Sequence, residues 1–371
     1  MRSVPFLLLS VATSLALLVV DVRAEASFDA PKRLVAMLGI AAAMVALAFV
    51  NESASRPWTR AQKTIAICAG LALALIAISA WISPHRVVAL DTLRPMVVFA
   101  MIPLLCAAEE RAWRWMSNAF LIGAGVNAVV AITQQLQIAQ PFQYGAGGGR
   151  GNVSAMIGNS GVIGLVSAIA ILLLVPRLTR RAYGMWALLA LLLATMVINR
   201  SLSPFLVLAA GLLVYLPEMS KRGPLAAAVL VFTFAASDTI HLVDRLLSYR
   251  LGPWKAALTM SAERPLFGFG PGTYGAEYAR HADTQFPNPH LLGSFAQAHN
   301  DYLQALAEFG IPATLLLIAT LVLLMRSASR DVALLSILFA GAVAALTWFP
   351  LQRPETAMIL LAAAGRAWRN A

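Results

Sequence analysis

Apolar runs of about 15–20 residues, broken by short polar clusters, recur along nearly the whole chain, the pattern of helices that cross a bilayer. They place candidate spans at 4–20, 34–50, 64–82, 95–108, 117–137, 155–175, 183–198, 203–217, 224–237, 303–325, 332–349 and 355–365. The fourth, ninth and last are short for a crossing of about 20 residues. Residues 238–302 interrupt the series with a polar stretch. The pattern predicts an all-α polytopic membrane protein of about twelve helices. About nine lie in 1–237, one long loop in 238–302, and about three in 303–371.

Composition agrees. The 371 residues are 60% hydrophobic and 12% charged, with a mean hydropathy of +0.75. A soluble domain carries about 25% charged residues. The net charge of +11 comes from short basic clusters between spans, not from a basic stripe interleaved with aromatics, so nucleic acid is excluded as a partner. With the N-terminus inside, fifteen Lys and Arg fall in internal connections and eight in short external ones. That asymmetry puts both termini in the cytoplasm and the long loop outside. Arg2, the apolar run to Val20 and Val22-Arg23-Ala24 resemble a cleavable signal, but an uncleaved first helix is the preferred reading. Cys68 and Cys106 each sit in an apolar run and read as buried spectators.

Residues with chemistry gather near the loop. His299 precedes Asn300 and Asp301, good N-cap residues, and the apolar face of the next span. The positive end of that helix disfavours protonation and keeps the ring neutral, with Asp301 or Glu308 placed either to orient it or to serve as a solvated cap. Arg250 and Trp254 share a helix face at i, i+4, either as a cation–π pair or with the guanidinium free to grip phosphate. Arg200 ends the seventh span on the less basic side, where Arg353, Arg150 and Arg94 also lie. Gly268 and Gly270 shape a sharp turn or let backbone approach a ligand. Asn159 caps the sixth span or bonds a headgroup. The patch Gly145–Gly151 lacks a P-loop's Lys-Ser/Thr. Without Asp-x-Asp, His-x-x-x-His or Cys-x-x-Cys, no metal or other cofactor is expected.

Gly158-Asn159, Arg200-Ser201, Arg250-x-x-x-Trp254, Pro265-Leu-Phe-Gly-Phe-Gly270, His299-Asn-Asp-Tyr-Leu303 and Glu308-Phe-Gly-Ile311 occur in this order. Together they resemble the O-antigen ligase family, which shares its membrane domain with O-antigen polymerases. Asn199 departs from the usual Ser before Arg200, and Ser201–Pro204 from the usual Gly-Ala run. The resemblance implies a glycosyltransferase of the GT-C type in the bacterial inner membrane. Its donor would be an undecaprenyl pyrophosphate-linked glycan. The acceptor would be lipid A–core or another glycan, with membrane lipids around it and the active site on the periplasmic face. It implies His299 as base and Arg250 and Arg200 as the pyrophosphate clamp, with inversion and without metal. Asn159, Trp254, Gly268, Gly270, Tyr274, Asn300 and Arg353 are the substrate-binding candidates. A polymerase with the same chemistry is the near alternative; a non-enzymatic flippase is the alternative of another class.

Overall fold

The computed structural model describes residues 3–24, 26–49, 57–138, 153–179, 181–199, 201–216, 239–282 and 295–371. The candidate span at 224–237, Arg200, Arg150 and the patch Gly145–Gly151 lie outside the described residues. Among those described, all regular structure is helical.

The helices are α1 (Val4–Leu18), α2 (Ala30–Ala48), α3 (Arg60–Ile82), α4 (Arg86–Phe99), α5 (Met101–Ala108), α6 (Glu110–Gln135), α7 (Ser160–Leu174), α8 (Tyr183–Asn199) and α9 (Leu202–Leu213). They continue with α10 (Thr239–Glu263), α11 (Tyr274–His281), α12 (Asp301–Ser327), α13 (Val332–Thr347) and α14 (Pro354–Asn370). Six segments are long and apolar enough to cross a membrane: α2, α3, α4 with α5, α6, α7 with the turn after it, and α12. Helices α1, α8, α9 and α13 are apolar but shorter. The polytopic reading therefore stands, and six of the expected crossings meet the length criterion among the described residues.

Hydropathy alone misplaced several boundaries, three of them with a clear local cause. The fourth span was expected to begin at 95, but α4 begins at Arg86, because the helix tolerates Asp91 and Arg94 as an exposed pair 2.9 Å apart. It breaks at Ala100: Pro103 has no N–H to give the Phe99 carbonyl one turn back. The sixth span was expected from 155, yet α7 starts at Ser160. Asn159 caps it there, accepting from the Gly161 and Val162 amides at 2.9 and 3.2 Å. Helix α14 outruns its apolar stretch to Asn370, its polar tail held to a neighbouring helix end.

α7 is the axis of the bundle. Val162 to Leu174 are buried without interruption, as an all-round apolar helix requires. The core built on it takes Phe120 and Ala124 of α6, Leu192 and Met196 of α8, Val207 and Leu208 of α9, and Ile337 and Ala340 of α13. A second cluster joins Leu9 and Ala12 of α1, Ile40 of α2, Leu105 of α5 and Met358 of α14. Helix α1 is thus packed into the bundle.

The bundle has two chemically distinct ends. At one, arginines bind helix termini. Arg369 donates to the Ala107 and Ala108 carbonyls at 2.8 and 2.9 Å, Arg177 reaches Ser117 at 2.6 Å, and Arg366 meets Glu110 at 2.9 Å. This satisfies carbonyls that a helix end leaves open. The opposite end carries the starts of α7, α9, α12 and α14 and the end of α13. That is the end the charge asymmetry assigns to the outside.

Candidate functional site

The Pro265–Gly272 loop docks onto α12 because α12 is broken to receive it. Gly310 adopts φ +78° and ψ 172°, and Pro312 follows. Pro312 cannot bond the Glu308 carbonyl, and the Ile311 amide turns to the Pro265 carbonyl at 2.8 Å. The carbonyls of Ala307 and Glu308 are then open, and they accept from the Phe269 and Gly270 amides at 3.0 and 2.8 Å. Ser79 and Ser83 on α3's last turn and C-cap donate to the Phe267 and Phe269 carbonyls at 2.5 Å. Only glycine fits here. Gly268 has φ +63°, and a Cβ on it would strike the Glu308 backbone; one on Gly270 would meet Ser83 Oγ at 2.6 Å. These glycines face protein, so close packing is the role the geometry gives them.

Glu308 ties this loop to the next. Its buried carboxylate accepts from the Gly272 amide at 2.9 Å, the Tyr274 amide at 3.1 Å and Gln304 Nε2 at 3.0 Å. Gln304 in turn accepts from the Ala298 amide at 3.1 Å, beside His299. Asp301 turns to the Leu351 amide at 3.4 Å and Gln352 Nε2 at 2.8 Å. The expectation that Asp301 or Glu308 orients the imidazole is therefore corrected: their oxygens are engaged elsewhere. Asn300 is the predicted cap, accepting from the Leu303 amide at 3.0 Å. Tyr274 is fully buried, its hydroxyl donating to the Pro253 carbonyl at 2.7 Å, and burial raises its pKa.

His299 and Arg250 come together against one indole. The His299 ring lies 5.2 Å from Trp348 and 5.3 Å from Phe349, centroid to centroid, and these two rings stack on each other at 4.9 Å. The Arg250 guanidinium stands 5.7 Å from the same Trp348 ring. Trp348 therefore takes the stacking place the spacing suggested for Trp254. Arg250 is 9% exposed, donates to the Thr347 carbonyl, and approaches Ser203 Oγ at 3.5 Å. Asn199 donates to the Ser160 carbonyl, and a Cβ on Gly161 would lie 2.9 Å from Trp348. Residues flanking Arg200 thus border the cluster, as do Asn159 and the start of α7.

Polar atoms here are left without partners. His299 Nδ1, Trp348 Nε1, Trp254 Nε1, Thr347 Oγ1 and Asn199 Oδ1 are buried and make no hydrogen bond among the described residues. Unpaired buried groups cost about 1–3 kcal/mol each, so five in one neighbourhood mark a place built for something other than stability. His299 also takes φ +53°, a strained choice for a residue with a Cβ. Desolvation, reinforced by the Arg250 charge, holds its pKa down at about 4. Desolvation lowers Arg250 to about 10, which leaves it charged at neutral pH. A neutral imidazole and a cation share one wall.

The other arginines stand apart. Arg353 pairs with Asp29, next to a Lys32–Glu355 pair at 3.0 Å in which neither side chain is exposed. Its charge is already balanced there. Arg94 is exposed beside Asp91. Trp348 and Phe349, which form the wall, escaped the sequence reading. They sit at the end of an apolar run where aromatics are commonplace, and only the α12–α13 hairpin brings them to His299.

Comparison with protein families matches residues 153–318 to a family model described as O-Antigen ligase. No curated protein matches the chain. The matched segment is just under half the chain and contains every motif residue from Gly158 to Ile311.

Proposed function

Starting from residues 153–318 as an O-antigen ligase family domain, we propose that the protein moves a glycan from undecaprenyl pyrophosphate to an acceptor hydroxyl on the periplasmic face of the inner membrane, in the manner of a ligase acting on lipid A–core. The observation that carries this is the pairing, on the Trp348 wall, of a neutral imidazole whose buried Nδ1 has no partner among the described residues with a buried guanidinium.

Each group has a task in that reaction. The acceptor O–H loses its proton to the His299 ring as its oxygen bonds to the anomeric carbon. The bond from that carbon to the pyrophosphate oxygen breaks, and undecaprenyl pyrophosphate leaves with the electron pair. Arg250, with Arg200 proposed beside it, stabilises the charge that grows on the leaving oxygens; loss of one such donor costs about 3 kcal/mol. Pyrophosphate leaves without an acid or a metal, and attack from the opposite side inverts the sugar. Asn159 and Trp254 border the cluster and are proposed to contact the substrate.

The test is transfer by the purified full-length protein from undecaprenyl pyrophosphate-linked glycan, offered lipid A–core and free glycan acceptors in parallel. His299→Ala is expected to lower the rate ~10²–10⁴-fold and Arg250→Ala about 10²–10³-fold, with normal folding of both. Near-wild-type transfer by both variants would falsify the site. Product on glycan alone would make the protein a polymerase.

A further inference from the structure

Four charged residues meet where α2 and α14 begin, at the end of the bundle that carries the Trp348 cluster. Lys32 Nζ lies 3.0 Å from Glu355 Oε1 with neither side chain exposed, and Arg353 pairs with Asp29 beside them. Asp29 and Lys32 are the N-cap and first turn of α2; Arg353 and Glu355 are the N-cap and first turn of α14. All four lie outside residues 153–318, so the family match does not cover them.

Stability does not account for this arrangement. Taking two charges out of water costs more than their attraction returns unless the remaining lone pairs and protons are also bonded. Here Glu355 Oε2, Arg353 Nε and Asp29 Oδ1 are buried without a partner among the described residues. An apolar pair of similar volume would hold α2 to α14 at least as firmly. It would not fix a single position. Apolar contact is non-directional, whereas a hydrogen-bonded ion pair accepts only a narrow range of distances and angles.

That position bears on the Trp348 wall from two sides. Trp348 to Arg353 is the whole connection between α13 and α14. Its near end is held where Arg250 donates to the Thr347 carbonyl, and its middle where Asp301 accepts from the Leu351 amide and Gln352. Its far end is Arg353, tied to α2 through Asp29 and, two residues on, through the Glu355–Lys32 pair. From the other side, Phe28, next to Asp29, closes on Gly158, where a Cβ would lie 2.1 Å from its ring. Gly158 precedes Asn159, the cap of α7, and Gly161 in the first turn of α7 is the residue that abuts Trp348. The α1–α2 connection therefore reaches both the segment that carries the indole and the helix end against which the indole rests.

We propose that Lys32, Glu355, Asp29 and Arg353 are positioning residues for the transfer site, holding the start of α14 in the one register against α2 at which Trp348 and Phe349 close over His299. The role rests on the proposed function for the reaction it serves. These residues act through the wall and not on the substrate. With the wall in place the imidazole is dry and aligned; a displacement of about 1 Å misaligns it, and such shifts cost up to ~10²-fold in rate.

The test replaces the buried pair by apolar side chains of similar length, Lys32→Met with Glu355→Met, in the full chain. Two quantities are read: glycan transfer, and the titration of His299 by NMR on protein carrying 13C-labelled histidine, its signal assigned by loss in His299→Ala. The double variant should fold and melt at or above the wild-type temperature. Its kcat should fall roughly 10–10²-fold. The His299 titration should move up from about 4 to about 5 or above, as water enters behind the displaced rings. A pair that only braces the fold moves neither quantity, so an unmoved kcat or an unmoved titration overturns the proposal. Where the double variant does not fold, Asp29→Ala takes its place with the same two readouts and the same directions, since that side chain is 37% exposed and makes no cap bond. A wild type that transfers no glycan refutes the proposed function, and the titration then decides the positioning role alone; transfer by the wild type with an unmoved titration in the variant refutes the positioning role alone.

Discussion

Two neighbouring regions meet at the start of α12, and they treat their polar atoms in opposite ways. Around Glu308 every carboxylate oxygen, freed carbonyl and loop amide named above has a partner, from Pro265 through Gly272 to Ala298. Around Trp348 five buried polar atoms have none among the described residues. Both regions carry residues of the same sequence motifs, so motif membership does not separate them; hydrogen-bond satisfaction does. A satisfied network specifies a shape, whereas the partnerless groups beside a buried cation are the ones the proposed function assigns to a ligand.

The sharpest way to break this contrast is Gly268→Val. The added side chain meets the Glu308 backbone at a positive φ, and neither backbone has room to move, since Gly270 is bonded to the same carbonyl. The expected outcome is loss of the folded protein, seen as aggregation in detergent size-exclusion chromatography. A monodisperse variant with normal transfer would show that the docked loop is not what shapes this end of the bundle.

His299→Gly should do the converse. It removes the strain of φ +53°, worth about 1–2 kcal/mol, and an unpaired buried nitrogen. The melting temperature should hold or rise while transfer falls ~10²–10⁴-fold. A variant that melts well below wild type would place His299 with the scaffold instead.

Glu308→Gln is a smaller perturbation of the satisfied region. The amide keeps one acceptor and turns its NH2 toward the Gly272 or Tyr274 amide, leaving one donor unpaired at about 1–3 kcal/mol. Stability should drop by that amount, with transfer per folded molecule within a few-fold of wild type. A hundredfold loss of rate at unchanged stability would make Glu308 a direct participant and erase the division.

Much of this was legible in the sequence, and the failures have physical causes. Apolar run length found α1 to α3, α6, α8, α9, α12 and α13 because burial in lipid demands continuous apolar surface. It misjudged α4 because exposed Asp91 and Arg94 look like a boundary although their helix continues. Motif order singled out His299 and Arg250, which the fold brings to one indole, and the glycines of the docked loop. It could not show that Glu308 serves the loop instead of the imidazole, since both lie within reach of one helix start. Trp348, 49 residues beyond His299, carries no local signal at all; only the pairing of α12 with α13 creates the wall.

The smallest predicted effect separates the two causes of the low His299 pKa. In the folded protein the ring titrates at about 4 against an ordinary 6.5. Between these values the unfolded chain binds a proton the folded one refuses, so stability from this residue is present above 6.5 and declines as pH falls toward 4. The rate should follow the folded value, staying flat from neutral pH down to about 5 and falling with an acid limb near 4. Desolvation is the larger cause and the Arg250 charge the smaller. In Arg250→Gln the acid limb of the residual activity should therefore move upward and yet stay below 6.5. A limb that reaches 6.5 would make the guanidinium, not burial among Trp348 and Phe349, the group that keeps the imidazole neutral. A limb that does not move would mean the two side chains do not sense each other across the indole they share.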